Sequence, residues 1–189
     1  MNPSDLKTLH QLAAKQAIRE LVLKYCRASD RQDYVLMASL YHDDATDDHG
    51  KMFTGLAKDY LAWLPSMRGQ MEITAHHISN HLIVVDDDCR RAEGEAYIVA
   101  YHLKTVSDGS KQQIVTGGRF LDKYEDRGDG WKFSARKAVL DWNEFQPSLS
   151  RWPNEGRAGR CSGPIAMDTL MGGLSTRRGE IDETEAQGI

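Results

Sequence analysis

The sequence predicts an α+β fold, with N-terminal helices packed on one face of a strongly curved, mostly antiparallel sheet. Three observations carry this. Apolar residues recur at helical spacing over roughly the first third of the chain. From residue 71 they alternate instead, in four long consecutive runs, 71–87, 91–106, 111–125 and 130–144. Asp108-Gly109 and Asp129-Gly130 mark tight turns between the last three runs. Consecutive strands joined by short turns pair antiparallel, and helices that precede such a set cover one of its faces.

The elements follow in order. Residues 5–29 form an amphipathic helix, with Leu6, Leu9, Leu12, Ala13, Ile18, Leu21, Val22 and Tyr25 on its apolar side and Ser4 or Asp5 as its cap. Tyr25 lies four residues after Leu21 and three after Val22, so it sits on the buried face. Asp33 suits the N-cap of a second short helix whose apolar side is Tyr34, Met37, Leu40 and Tyr41. That leaves Asp30 with no capping task. His42-Asp43-Asp44-Ala45-Thr46-Asp47-Asp48-His49-Gly50 reads as an acidic, turn-rich loop. Thr54 caps a third helix over about 55–66, which Pro65 ends.

The first long run contains His76, His77, Asn80 and His81. Alternation puts His76, Ile78, Asn80, Leu82 and Val84 on one face and His77, Ser79, His81, Ile83 and Val85 on the other. One His and one amide among aliphatics compose a pocket wall that holds a single base. Whether His76 or His77 faces inward stays open. His77 and His81 lie roughly 13 Å apart along a strand, so they are not a chelating pair. In the second run Tyr97, Val99 and Tyr101 share a face that can line the same concavity. In the last run Arg136 alternates with Ala138, Leu140 and Trp142, and an arginine among apolar neighbours needs a polar or anionic partner from protein or ligand.

Composition excludes several function classes. Net charge is −4, with no basic excess to neutralise phosphates, so nucleic acid is not an expected partner. No apolar run approaches the roughly 20 residues of a membrane span, and the N-terminus shows no secretion signal, which points to a cytoplasmic protein. Three cysteines at unrelated spacings fit reduced thiols, and no pattern matches a metal site. The expected organisation is one domain over 1–145 and a C-terminal extension over 146–189, rich in Gly, Pro, Ser and Arg and partly ordered at most. Within the extension, Ile165–Met171 is apolar enough to dock.

Several residues together resemble the SnoaL-like branch of the NTF2-like superfamily, the cone-shaped fold of scytalone dehydratase, ketosteroid isomerase and polyketide cyclases. They are Ile18-Arg19-Glu20-Leu21, Ser29-Asp30-Arg31-Gln32-Asp33, His42-Asp43-Asp44-Ala45, His76 with Asn80, Gly117-Gly118-Arg119-Phe120, Tyr124-Glu125 and Gly130-Trp131-Lys132-Phe133-Ser134 with Arg136. The resemblance spans about residues 8–145 and comes closest to the hexachlorocyclohexane dehydrochlorinase and bile-acid 7α-dehydratase group. It implies a catalytic Asp–His pair at Asp30 and His76, and an active-site arginine at Arg136. Tyr25 matches the tyrosine of the dehydratase group, where the dehydrochlorinase has lysine. The dehydrochlorinase's pocket tryptophan falls on about Asp47, which makes this pocket more polar.

The resemblance implies a lyase that needs neither metal nor organic cofactor and acts on a hydroxylated aromatic or polycyclic small molecule. His76 takes a proton, Asp30 orients it, Tyr25 donates to an oxygen and Arg136 binds an oxyanion. Asn80, Asp47, Tyr97, Tyr101 and Trp142 are expected to contact substrate. The leaving group is water or a small carbonyl fragment such as formaldehyde. Two alternatives stand beside it: an isomerase or cyclase moving a proton next to a carbonyl, and a non-catalytic ligand-binding module. Association into a homo-oligomer, trimer before dimer, is expected through the outer sheet face.

Overall fold

Helix α1 (Pro3–Arg31) starts at Asn2, not at Ser4 or Asp5. The Asn2 side chain accepts from the Asp5 N–H, and the Asp5 carboxylate accepts from the Asn2 N–H. This reciprocal pair satisfies two donors that a helix start otherwise leaves open, and Pro3 sits where its missing N–H costs nothing. Ile18, Val22 and Tyr25 form its buried stripe. Gln32 stops it in a left-handed conformation at φ 56°. Asp30 therefore lies in the last helical turn, one turn earlier in the architecture than a loop position would put it. α2 (Tyr34–Ser39) is capped as expected, with the Leu36 N–H donating to the Asp33 carboxylate at 3.0 Å. The computed structural model describes residues 2–68 and 71–148.

The acidic stretch after α2 is not a loop. It forms strand β1 (Tyr41–Asp48), which pairs parallel with the last strand and antiparallel with β2 (Thr54–Leu56). Aspartates disfavour strands, and here pairing on both sides overrides that tendency. Tyr41, Ala45 and Asp47 face the core while Asp43 and Asp44 face water. Thr54 opens β2 instead of capping a helix, so α3 (Ala57–Arg68) begins at Ala57. Pro65 lies inside α3, which continues three residues beyond it; the Ser66 hydroxyl donates to the Trp63 carbonyl nearby.

The four β runs appear close to their expected limits as β3 (Met71–Val85), β4 (Arg91–Thr105), β5 (Lys111–Asp126) and β6 (Trp131–Pro147). The sheet order is β2-β1-β6-β5-β4-β3, antiparallel except for β1 against β6. α1 packs across the concave side, and Ile18, Val22, Met37, Leu64 and Phe133 are fully enclosed there. β6 takes in Gln146 and Pro147, which the sequence assigns to the extension. The Ile165–Met171 stretch lies outside the described residues.

Two of the sheet's register slips bear on which side chains face the cavity. On β3 the pairing with β4 shifts by one between Ile78 and His81. On β6 the pairing with β5 shifts between Trp142, opposite Gly117, and Leu140, opposite Gly118. An extra residue on one strand bends it and reverses the face of everything beyond. Leu82 and Val84 are exposed as a result, and Ile83 and Val85 are buried. No helix among the described residues is long and apolar enough to cross a membrane.

Candidate active site

The last turn of α1 brings Asp30 against the middle of β3. Asp30 Oδ1 lies 2.5 Å from His76 Nδ1, and Oδ2 accepts the His76 backbone N–H at 3.0 Å. The Thr74 hydroxyl donates to Oδ1 at 3.3 Å. A carboxylate only accepts, so in the neutral imidazole this contact puts the ring proton on Nδ1 and leaves the lone pair on Nε2. Gripping both the ring and the backbone of one residue fixes the imidazole in position and in rotation. The His76 side chain is 10% exposed and the Asp30 side chain 21%.

His76 opens on a cavity of about 610 Å³ between the sheet, α1 and α3. Most of the wall is apolar: Ile98, Ile114, Phe120, Leu140 and Phe145 among others. Its polar side chains beside His76 include Tyr25 and Ser29 from α1, His49 and Lys51 from the turn after β1, and His102, Thr116, Arg119 and Asn143 from the sheet. The volume is that of a pocket for a drug-sized molecule. His102 crosses His76 edge-on, ring centres 5.5 Å apart. His77, the alternative base, points out to water.

Several residues expected on this wall lie elsewhere. Asn80 follows His76 by four, but the β3 slip falls between them and leaves Asn80 exposed. On β4 the inward residues are Ile98, Ala100 and His102, so Tyr97, Val99 and Tyr101 are not on the cavity wall. Counted from the β3–β4 turn without a slip, His76 would stand opposite Tyr101; with it, His76 stands opposite Ala100. Trp142 is likewise turned outward by the β6 slip, covers Gly117 and is about half exposed. The same slips hid His102, whose signal was its place two residues beyond His76's true partner.

Arg136 does not face the cavity. Its guanidinium is fully buried and grips Asp122 with two hydrogen bonds, 2.8 and 2.7 Å. Tyr25, Phe120 and Phe133 surround it, each ring centre 4.0–4.2 Å from Cζ. Burial pulls the guanidinium pKa down, but the Asp122 carboxylate more than offsets this and the net direction is up. The arginine expected to bind an oxyanion instead holds the floor beneath Tyr25. Burial also pushes the nearby Cys26 thiol up to about 12, so it stays protonated.

Asp47 is fully buried and lies behind the wall rather than on it. It accepts from the Tyr41 hydroxyl at 2.7 Å, and burial, with Tyr25 and Asp47 nearby, raises the Tyr41 pKa well above its ordinary value. Its other oxygen stands 2.8 Å from Nε2 of His49, a residue sequence reasoning left unassigned and one that does line the cavity. Among the described residues no three His, Cys, Asp or Glu side chains are grouped to hold a metal ion.

Solved structures of three proteins share this architecture. A Kribbella flavida protein superposes with a TM-score of 0.64 at 24% identity, over 71% of this chain and 95% of its own. A Novosphingobium aromaticivorans protein provisionally named a scytalone dehydratase gives 0.64 at 23%, over 80% and 99%. A hexachlorocyclohexane dehydrochlorinase from Novosphingobium barchaimii gives 0.67 at 20%, over 77% and 99%. These likenesses establish the NTF2-like fold. No curated protein sequence matches the chain. The model of the SnoaL-like domain matches residues 10–137, most of the sheet and all of the helical layer from His10 onward, and by that match the chain belongs to the SnoaL-like family.

Proposed function

We propose that this protein is a cofactor-independent lyase for a hydroxylated aromatic or polycyclic small molecule, with His76 as its base and Asp30 as the group that orients it. One observation carries the reading: the 2.5 Å Asp30–His76 contact at the wall of a largely apolar cavity. A binding pocket alone has no need of an imidazole held by a carboxylate at two points. The names of the similar structures, a dehydratase and a dehydrochlorinase, agree with elimination chemistry.

In the proposed step His76 Nε2 removes a proton from the substrate and Asp30 balances the imidazolium that forms. Tyr25 reaches the cavity from α1 and donates a hydrogen bond to a substrate oxygen. The apolar wall packs against rings and keeps water from the base. The leaving group is water, in a dehydration, or a small carbonyl fragment such as formaldehyde.

The test is a panel of hydroxylated mono-, di- and polycyclic aromatics, followed by mass spectrometry. Loss of water or release of formaldehyde is expected with the wild type. His76→Ala lowers the rate roughly 10²–10⁴-fold, and Asp30→Asn lowers it by a comparable factor. A product of unchanged mass would replace elimination by the second reading, proton transfer next to a carbonyl, which the same base and the Tyr25 phenol also serve. Full activity in His76→Ala would remove the dyad from the mechanism altogether.

A further inference from the structure

The cavity has a second imidazole–carboxylate pair, on the wall supplied by β1 and α3. His49 sits in the turn after β1 and is held from three directions. Its ring stacks on Tyr60 of α3 at 4.5 Å between centres and 14° between planes. Its backbone N–H donates to the Phe53 carbonyl at 2.7 Å, closing the turn. Asp48 braces the same turn by accepting from the Gly50 N–H and the Thr54 hydroxyl. Behind the ring stands Asp47, fully enclosed, whose second oxygen is fixed by Tyr41. The Asp47 oxygen nearest His49 is 2.8 Å from Nε2 but out of line for a hydrogen bond, and it has no hydrogen-bond partner among the described residues. A buried carboxylate oxygen without a hydrogen bond is costly unless a charge answers it.

We infer that His49, with Asp47 behind it, is the second proton-transfer group of this site and the acid that protonates the leaving oxygen. The inference rests on the lyase reading and completes it. His76 takes a proton from carbon, the released electron pair forms the new C=C bond, and the C–O bond breaks. The leaving oxygen takes its proton from the His49 imidazolium and departs as water. His76 then holds one proton more and His49 one fewer, and solvent exchange restores both. Asp47 touches no substrate; it is a positioning residue that matches the charge of the ring in front of it.

The experiment compares two substrates and three variants of the full chain. One substrate is an alcohol turned over by the wild type; the other is its O-acetyl derivative, whose leaving acetate needs no proton. With the alcohol, His49→Gln is expected to lower kcat roughly 10²–10³-fold. With the acetate ester it is expected to run within about threefold of wild type, while His76→Ala fails on both. His49→Phe keeps the stack against Tyr60, so the test survives if the glutamine variant folds poorly. Equal losses on both substrates, or no loss on the alcohol, would overturn the acid role and leave the lyase reading intact. Should the wild type turn over nothing, the lyase reading falls and imidazole NMR with 2-naphthol decides the rest. Shifts at both His49 and His76 keep the two-histidine site; a shift at His76 alone, or at neither, overturns it.

Discussion

At the scale of single residues, the arginine and the aspartates show how little a residue type says about its task. Asp30, Asp33, Asp47 and Asp122 lie respectively against a histidine, at a helix start, behind a histidine and against an arginine. Arg136 is a buried ion pair in an aromatic shell, not a free anion binder. Removing one partner of such a pair leaves the other charge uncompensated, so Asp122→Ala is expected to lower stability by about 3–5 kcal/mol. The double variant Asp122→Leu, Arg136→Met removes both charges and is expected to lose well under half of that. Urea denaturation of the three proteins measures it; a double variant as unstable as Asp122→Ala would show that shape and not charge governs this floor.

At the scale of elements, the slips at Ile78–His81 and at Gly117–Gly118 decide which side chains reach the cavity, and glycines make the second possible. A Cβ on Gly118 would lie 2.2 Å from the Val139 carbonyl oxygen, which is backbone and cannot turn aside. A Cβ on Gly117 would lie 2.1–2.4 Å from the indole of Trp142, a half-exposed side chain with room to swing. Gly118→Ala is therefore expected to cost roughly 1–3 kcal/mol and to disturb the cavity wall, where Gly118 lies. Gly117→Ala is expected to cost under about 1 kcal/mol. Thermal melts of the pair rank them; the reverse order would mean that the β5–β6 ladder yields more easily than the indole.

At the scale of the whole molecule, the sheet has an inner face committed to core and cavity and an outer face left partly apolar. Leu82, Val84, Tyr97, Val99 and Trp142 are all more than a third exposed, and the slips are what turned three of them outward. Scattered exposed apolar residues are ordinary, but a row of them across neighbouring strands is a surface suited to association. The homo-oligomer expected from the sequence, a trimer first, would bury this face. Light scattering after size exclusion is expected to give three times the chain mass for the wild type. Val99→Glu with Leu82→Glu is expected to give a monomer whose helical and strand content is unchanged. An unchanged mass in that variant would move the interface elsewhere.

Much of this molecule was legible before its coordinates. Local periodicity placed α1, α2 and the four long strands, because helices and hairpins draw their pattern from neighbours in sequence. The motif set around Asp30 and His76 identified the family, and the contact between the two is present. What the sequence could not reveal was parity beyond a bulge: one inserted residue leaves the hydrophobic alternation looking continuous and yet exchanges its faces. That is why Asn80 and Trp142 leave the wall on which simple alternation puts them. Nor could it show that an aspartate-rich segment would become a strand, since only pairing with distant β6 makes β1 favourable. By itself the sequence determined α1, α2, the four long strands and the family, and it singled out Asp30 and His76 as a pair. The tertiary structure alone decided that Arg136 belongs to Asp122 and that His49 and Asp47 meet at the cavity, because those pairings depend on register between strands far apart in the chain.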